Sequence, residues 1–325
     1  FFTHRGVEKS LEGLTAAQAI FRVERTCGAC SASHALSFSQ AMESTVATEI
    51  PARALYIRVL TAELERLYNH VGDVGNICAG IGFAVGTSQG ARQKENIMRL
   101  NEELTGNRFL RGMIVPGGVT FDVSGEMIRQ TSSLINALLQ DFNELVEIVQ
   151  ESPGVLDRIR RTGILPRQVA ADLAIVGPAA RASGMDIDLR RDHPYAAYDK
   201  MNFKVPVRTH GDVEDRLWLR VSEVRESCGI IRQALAALSD NKGPIRVDLE
   251  PAAEWASGFG WCESARGANF HWVQLDAERK IYRYFIRSAS YPNWPALAVA
   301  APGNIIPDFP LINKSFELCY ACLDR

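Results

Sequence analysis

No apolar stretch of this 325-residue chain reaches the roughly 18 to 20 residues that cross a bilayer, and the N-terminus lacks the charged-then-apolar pattern of a signal peptide. Any membrane association is therefore expected to come through another subunit. Neither sign of charge is in excess. Lys and Arg number 36 against 38 Asp and Glu, so no global field draws the protein to nucleic acid or to an anionic membrane. Partner recognition must be local. Internal repeats and low-complexity tracts are also missing. Cysteine occurs seven times, an odd number, and its spacing does not read as a secreted disulfide framework, so a reducing, cytoplasmic setting is expected.

What is present is a large apolar share, 46% of residues, enough to bury a substantial core. The segment Phe1-Phe2-Thr3-His4-Arg5 reads as the interior of a stretch already under way, and further sequence upstream is expected.

Helical periodicity dominates. Ser31 or Ser33 can cap a helix running through His34, Phe38 and Met42, which places Cys30 at its positive end, where thiolate is favoured. Pro51 opens a long helix with one apolar stripe, Ile57, Leu60, Leu64, Leu67 and Val71. A Gly- and Ala-rich stretch over 76–90 precedes a polar helix over 93–104, and Val115-Pro116-Gly117-Gly118 marks a turn. A long helix is expected over 123–150, stopped by Pro153, followed by a looser stretch over 163–206. Asp212 or Asp215 starts another, with Leu217, Val221, Val224, Cys228, Ile231, Leu235 and Leu238 on one stripe, which makes Cys228 a packing residue. Strand-like runs come late, at 245–249, 270–275 and 281–286.

Four of the cysteines form two Cys-x-x-Cys pairs at opposite ends, Cys27 with Cys30 and Cys319 with Cys322. Each pair can clamp a soft metal through both thiolates. A structural zinc site is the plain alternative, but zinc modules place their second pair within roughly 20 residues of the first, where the metal stands in for a core. Here nearly the whole chain intervenes. A thioredoxin-type redox pair lacks its βαβ context, and an iron-sulfur cluster is chemically open.

The flanking residues decide between these. Arg25-Thr26-Cys27-Gly28-Ala29-Cys30, with His34 beyond, and the terminal Cys319-Tyr320-Ala321-Cys322-Leu323-Asp324-Arg325 together resemble the two signatures of nickel-iron hydrogenase large subunits. His4-Arg5-Gly6-Val7-Glu8-Lys9, Pro51-Ala52-Arg53-Ala54-Leu55 and Arg191-Asp192-His193-Pro194-Tyr195 resemble its membrane-bound, energy-converting branch. That branch includes formate hydrogenlyase catalytic subunits and is related to the quinone-site subunit of complex I.

The resemblance implies a single domain over 1–325, mainly α with a small β component, whose termini meet at the metal site. It implies Cys27 and Cys319 as terminal nickel ligands, Cys30 and Cys322 as bridges between nickel and iron, and an iron carrying carbon monoxide and two cyanides. His34 would hydrogen-bond a bridging sulfur. Arg266, after Ala265 where the family usually has proline, would hang over the open metal face as a catalytic group beside Cys319. Ala301 and Pro302 would contact the iron's ligands, and Arg25 would offset the thiolate charge or pair with Glu24. Glu317-Leu318 stands where the family commonly has Asp-Pro. Glu8 is a relay carboxylate only by its place in the sequence and otherwise a helix-surface acid, while Cys78 and Cys262 are structural.

Implied partners are an iron-sulfur small subunit holding a 4Fe-4S cluster, complex I-like membrane and electron-transfer subunits, a maturation protease and nickel-insertion factors. No nucleic acid is among them. In this family the protease removes a C-terminal extension once nickel is in place, so a chain ending at Arg325 is expected in mature form, on the cytoplasmic side of the membrane and held there by its partners. The other functions open to this sequence are a complex I-like quinone subunit that has lost the metal and a zinc-stabilised scaffold.

Overall fold

The computed structural model describes residues 4–325. In chain order the elements are α1 (Val7–Leu11), α2 (Ala16–Val23), α3 (Ser31–Glu43), α4 (Ala52–Gly80), α5 (Ala84–Thr105), β1 (Ile114–Val115), β2 (Gly118–Val119), α6 (Gly125–Gln150), α7 (Pro153–Ile159), α8 (Arg167–Asp172), α9 (Gly177–Ala182), α10 (Leu189–Asp192), a 3-10 turn (Tyr198–Lys200), α11 (Val213–Asp240), β3 (Ser257–Ser264), β4 (Gly267–Leu275), β5 (Ile281–Arg287), α12 (Ser290–Ala300), α13 (Asp308–Phe316) and α14 (Tyr320–Leu323). With 56% of residues helical and 9% in strands, the fold is mainly α with a small β component, as the sequence implied.

The 29-residue α4 is the axis of the structure, flanked by α3, α5, α11 and α13. Its single apolar stripe suggested one buried face. Instead Arg58, Glu63, Glu65, Arg66, Asn69, His70 and Asp73 are buried too. A polar face can go under because its charges find partners: Arg58 forks onto Glu43 at 2.9 and 2.5 Å, and Glu63 accepts hydrogen bonds from Tyr198 and Ser227, both at 2.6 Å.

The Gly- and Ala-rich stretch over 76–90 spans the end of α4 and the start of α5, so the second helix begins at Ala84 and not near residue 93. The small residues serve close packing, since a Cβ on Gly90 would sit 2.7 Å from the Gly75 Cα of α4. Pro153 ends α6 by starting α7 at its first turn, where its missing amide costs nothing. The looser stretch holds the short helices α8 to α10.

Strands β3, β4 and β5 form an antiparallel meander in that order. The runs at 270–275 and 281–286 lie in β4 and β5, whereas 245–249 forms no strand and contributes a single bridge, Gly118 to Arg246. β3 was not anticipated, because Ser257-Gly258-Phe259-Gly260 lacks a β pattern. The glycines let the strand lie against α3: a Cβ on Gly260 would fall 2.0 Å from the Ser37 carbonyl oxygen. The sheet thus presses α3, and the cysteine loop ahead of it, against α4.

Candidate metal centre

The loop before α3 is held by α4. The Tyr68 hydroxyl and the Asn69 amide both donate to the Ala29 carbonyl, at 2.6 and 2.9 Å. The cap of α3 is supplied from outside the local sequence. Neither Ser31 nor Ser33 caps it; the Glu65 carboxylate of α4 accepts the amides of Ala32 (2.6 Å) and Ser33 (3.0 Å) and the Ser33 hydroxyl.

Burial pushes the Glu65 carboxyl from 4.5 up to about 8, against the pull of those hydrogen bonds. Folded Glu65 therefore holds its proton where the unfolded chain has lost it. This contribution to stability is complete below about pH 4.5 and disappears as pH rises through about 8, with a slope of at most about 1.4 kcal/mol per pH unit. Glu65→Gln is expected to flatten that slope in denaturant unfolding measured across the window; an unchanged slope would show that Glu65 stays ionised.

The other end of the chain comes back to the same loop. Cys319 N–H donates to Ser290 Oγ at 3.0 Å, Ser288 Oγ donates to the Cys322 carbonyl at 3.1 Å, and Arg5 donates to the carbonyls of Thr26 (2.5 Å) and Ala321 (2.7 Å). Arg5 thereby ties together the residues just before Cys27 and Cys322. Arg325 closes the end through Nε to Glu8 at 3.1 Å and lies over the Tyr291 ring at 4.3 Å.

The sulfurs of Cys27, Cys319 and Cys322 lie within 4.8 Å of one another, with Cys27 Sγ 3.5 Å from Cys319 Sγ. All seven cysteines are free thiols. Cys30 packs in the same buried cluster, with its sulfur outside that close set, and its amide and that of Ala29 donate to Cys27 Sγ at 3.2 and 3.3 Å. Hydrogen bonding from Cys30 first, then Cys319 and Cys322, holds Cys27 well below the usual thiol range; the same contacts with Cys27 push Cys30 and Cys322 up. The cluster favours one thiolate and resists further negative charge unless a cation joins it.

His34 Nε2 is 3.8 Å from Cys322 Sγ. Arg266 follows buried Ala265 in the β3–β4 turn, whose course depends on a backbone contact: a Cβ on Gly177 would lie 2.2 Å from the Arg266 carbonyl oxygen. Its guanidinium pairs with both Asp73 oxygens, one at 2.9 Å, and donates to Asn69 Oδ1 at 3.2 Å. Its buried Nε has no hydrogen-bond partner among the described residues. Burial works against the Arg266 cation, but Asp73, Glu317 and Cys30 outweigh it and strengthen the charge.

Other expected site residues lie elsewhere. Arg25 is exposed, with its guanidinium turned onto the Phe21 carbonyl; Arg5 occupies the position beside the cysteine loops instead. Ala301 and Pro302 follow α12, and their carbonyls accept from Asn304 Nδ2 at 3.0 and 3.3 Å. Pro302 is exposed, and the small apolar neighbour packed on the cysteines is Ala29. Glu8 is half-buried on α1, and its carboxylate takes Arg325 and the Ile286 amide (2.8 Å). Asp73, Asn69 and Glu65 carry no local signal and were missed, and Arg5, although within the His4–Lys9 motif, was given no role; only the fold brings them here.

The donor set fits a soft metal. Four thiols from two distant segments converge without a disulfide, beside a cation with an unspent donor. The model of the respiratory-chain NADH dehydrogenase 49 Kd subunit matches residues 81–258 and 250–325, and that of nickel-dependent hydrogenase matches 5–73. The chain belongs to this family, which joins the large subunits of membrane-bound nickel-iron hydrogenases to the 49 Kd subunits of respiratory NADH dehydrogenase.

Formate hydrogenlyase subunit 5 of Escherichia coli (strain K12) is 33% identical over the whole chain, which spans 57% of that protein's length. The carbon monoxide-induced hydrogenase of Rhodospirillum rubrum is 32% identical, over 99% of this chain and 89% of that protein. A chain of the membrane-bound sulfane sulfur reductase, an archaeal respiratory membrane complex, superposes with a TM-score of 0.94 at 27% identity, covering 100% of this chain and 89% of that one. No helix among the described residues is long and apolar enough to cross a membrane.

Proposed function

We propose that this chain is the catalytic large subunit of a membrane-associated nickel-iron hydrogenase that cleaves and forms H2 reversibly. The observation that carries the reading is the convergence of both Cys-x-x-Cys pairs on one buried point. Cys27 and Cys319 would hold nickel, and Cys30 and Cys322 would bridge it to an iron bearing carbon monoxide and two cyanides. Bound there, the nickel-iron centre supplies heterolytic H2 chemistry. The chain's own contribution is to fix the sulfurs through Ser288, Ser290, Arg5 and the Ala29 carbonyl contacts, and to keep them out of water. Cys319, the half-buried member, is the thiolate with room to take a proton.

Arg266 holds a positive charge beside the sulfurs, oriented by Asp73 and Asn69. Arg266→Lys keeps the charge and loses the fork. It is expected to lower hydrogen turnover about 10²- to 10³-fold at unchanged nickel content, measured as hydrogen evolved per nickel.

Electrons would leave through an iron-sulfur small subunit, since the remaining cysteines, Cys78, Cys228 and Cys262, are separately buried. The complex would sit on the cytoplasmic face of the membrane through complex I-like partners, with a maturation protease and nickel-insertion factors acting before assembly. A second reading, a quinone-site subunit without metal, is favoured by the 49 Kd subunit match. Purified complex that contains nickel and evolves hydrogen from a reduced low-potential dye supports the first reading; metal-free complex active only with quinone establishes the second.

A further inference from the structure

The same face of α3 that carries His34 carries Phe38 one turn later. Phe38 packs edge-on against Tyr284 of β5, with ring centroids 5.8 Å apart. In the β4–β5 register Tyr284 stands opposite Val273, so His271 is its diagonal neighbour on the same face. The three polar rings form a row: His34 Nδ1 lies 2.9 Å from His271 Nε2, and His271 Nδ1 is hydrogen-bonded to the Tyr284 hydroxyl. All three are buried. The inner end of the row is His34 Nε2, facing Cys322 Sγ.

Two imidazole nitrogens at 2.9 Å share one proton, because two N–H groups would collide and two lone pairs would repel. Burial above all holds His271 well below the usual histidine range, so its ring carries a single N–H. With Tyr284 donating to His271 Nδ1, that N–H is on Nε2 and is directed at His34 Nδ1, which leaves His34 Nε2 as the nitrogen whose proton faces the sulfur. With the Tyr284 bond reversed, His271 Nε2 accepts from His34 Nδ1 and the row no longer fixes a proton on His34 Nε2. A cysteine that ligates a metal does so as thiolate, which favours a donor there.

We propose that His271, anchored by Tyr284, is a positioning residue that fixes His34 as a hydrogen-bond donor to Cys322 Sγ. The inference rests on the nickel-iron reading of the site. Nothing near residue 271 in the sequence marks it, and 237 residues separate the two histidines. A hydrogen bond to a bridging thiolate withdraws electron density from the metals, so losing it raises density on the iron and lowers the stretching frequency of its carbon monoxide.

The test is the infrared spectrum of the assembled enzyme carrying His271→Leu, Tyr284→Phe or His271→Gln. His271→Leu and Tyr284→Phe are expected to move the carbon monoxide band to lower wavenumber. His271→Gln is expected to restore it, since the amide N–H can donate to His34 Nδ1 while its carbonyl accepts from Tyr284. Unshifted bands in both His271→Leu and Tyr284→Phe overturn the proposal and leave the nickel-iron reading standing. Should His271→Leu fail to assemble, Tyr284→Phe decides, because it keeps the ring and its packing on Phe38. Complete absence of carbon monoxide and cyanide bands from the unsubstituted enzyme removes the nickel-iron reading, and this inference with it.

Discussion

Cys319→Ser is expected to bring the nickel content of the purified complex to background and to abolish hydrogen turnover while leaving the fold intact. Cys319 is half-buried, and serine is nearly isosteric with it, so the change in stability should stay within about 1 kcal/mol. What goes is a soft thiolate from a close set of three, which a hydroxyl cannot replace as a ligand for nickel. Cys78→Ser provides the contrast. That thiol is buried in the main apolar core, apart from the cysteine cluster, so the variant is expected to lose some stability and to keep its nickel. Nickel retained in Cys319→Ser, or lost equally in Cys78→Ser, would mean that the cysteine cluster does not hold the metal.

Arg181→Met should give the largest loss of stability, about 3–5 kcal/mol, read as a drop in denaturant midpoint. Arg181 is fully buried and faces three acids: Glu223 at 2.6 Å, Glu263 at 2.8 Å and Asp188 at 3.5 Å. Arg190 and Arg66 serve the same group, through Asp188 at 2.7 Å and Glu63 at 3.3 Å. Methionine fills the volume but leaves buried carboxylates short of a cation, and that uncompensated charge sets the size of the effect. The group also bears on the site. Arg66 donates to the carbonyls of Glu263 (2.6 Å) and Ser264 (3.1 Å), which lead into the turn carrying Arg266, and His70 joins Glu223 at 2.6 Å to Asp73 at 3.6 Å. A weaker Arg181→Met protein is therefore also expected to hold Arg266 less well.

The sequence already marked the parts whose physics is local. The three-and-four spacing of apolar residues marks α4 and α11, and α6 closes just before Pro153. The four cysteines are marked because their spacing and flanks are chemically specific. What was not legible depends on contacts between distant segments. The cap of α3 comes from Glu65, so no search among the residues next to the helix could find it. β3 and the start of α5 were hidden because their glycines answer to a neighbouring backbone, the α3 carbonyls in one case and Gly75 in the other. Arg25, adjacent to the first pair in sequence, read as a cation for the thiolates or a partner for Glu24, yet Arg5 is the one that reaches both cysteine loops. The run at 245–249 had strand composition but lies beside the β1–β2 turn, where one bridge is all it forms.

Anomalous X-ray scattering from the purified complex tests the central claim most directly, because it identifies the element and its place together. The account predicts a nickel-edge peak and an adjacent iron-edge peak among the sulfurs of Cys27, Cys30, Cys319 and Cys322. A zinc-edge peak alone at that position, or no peak at any of the three edges in protein of full occupancy, would contradict it.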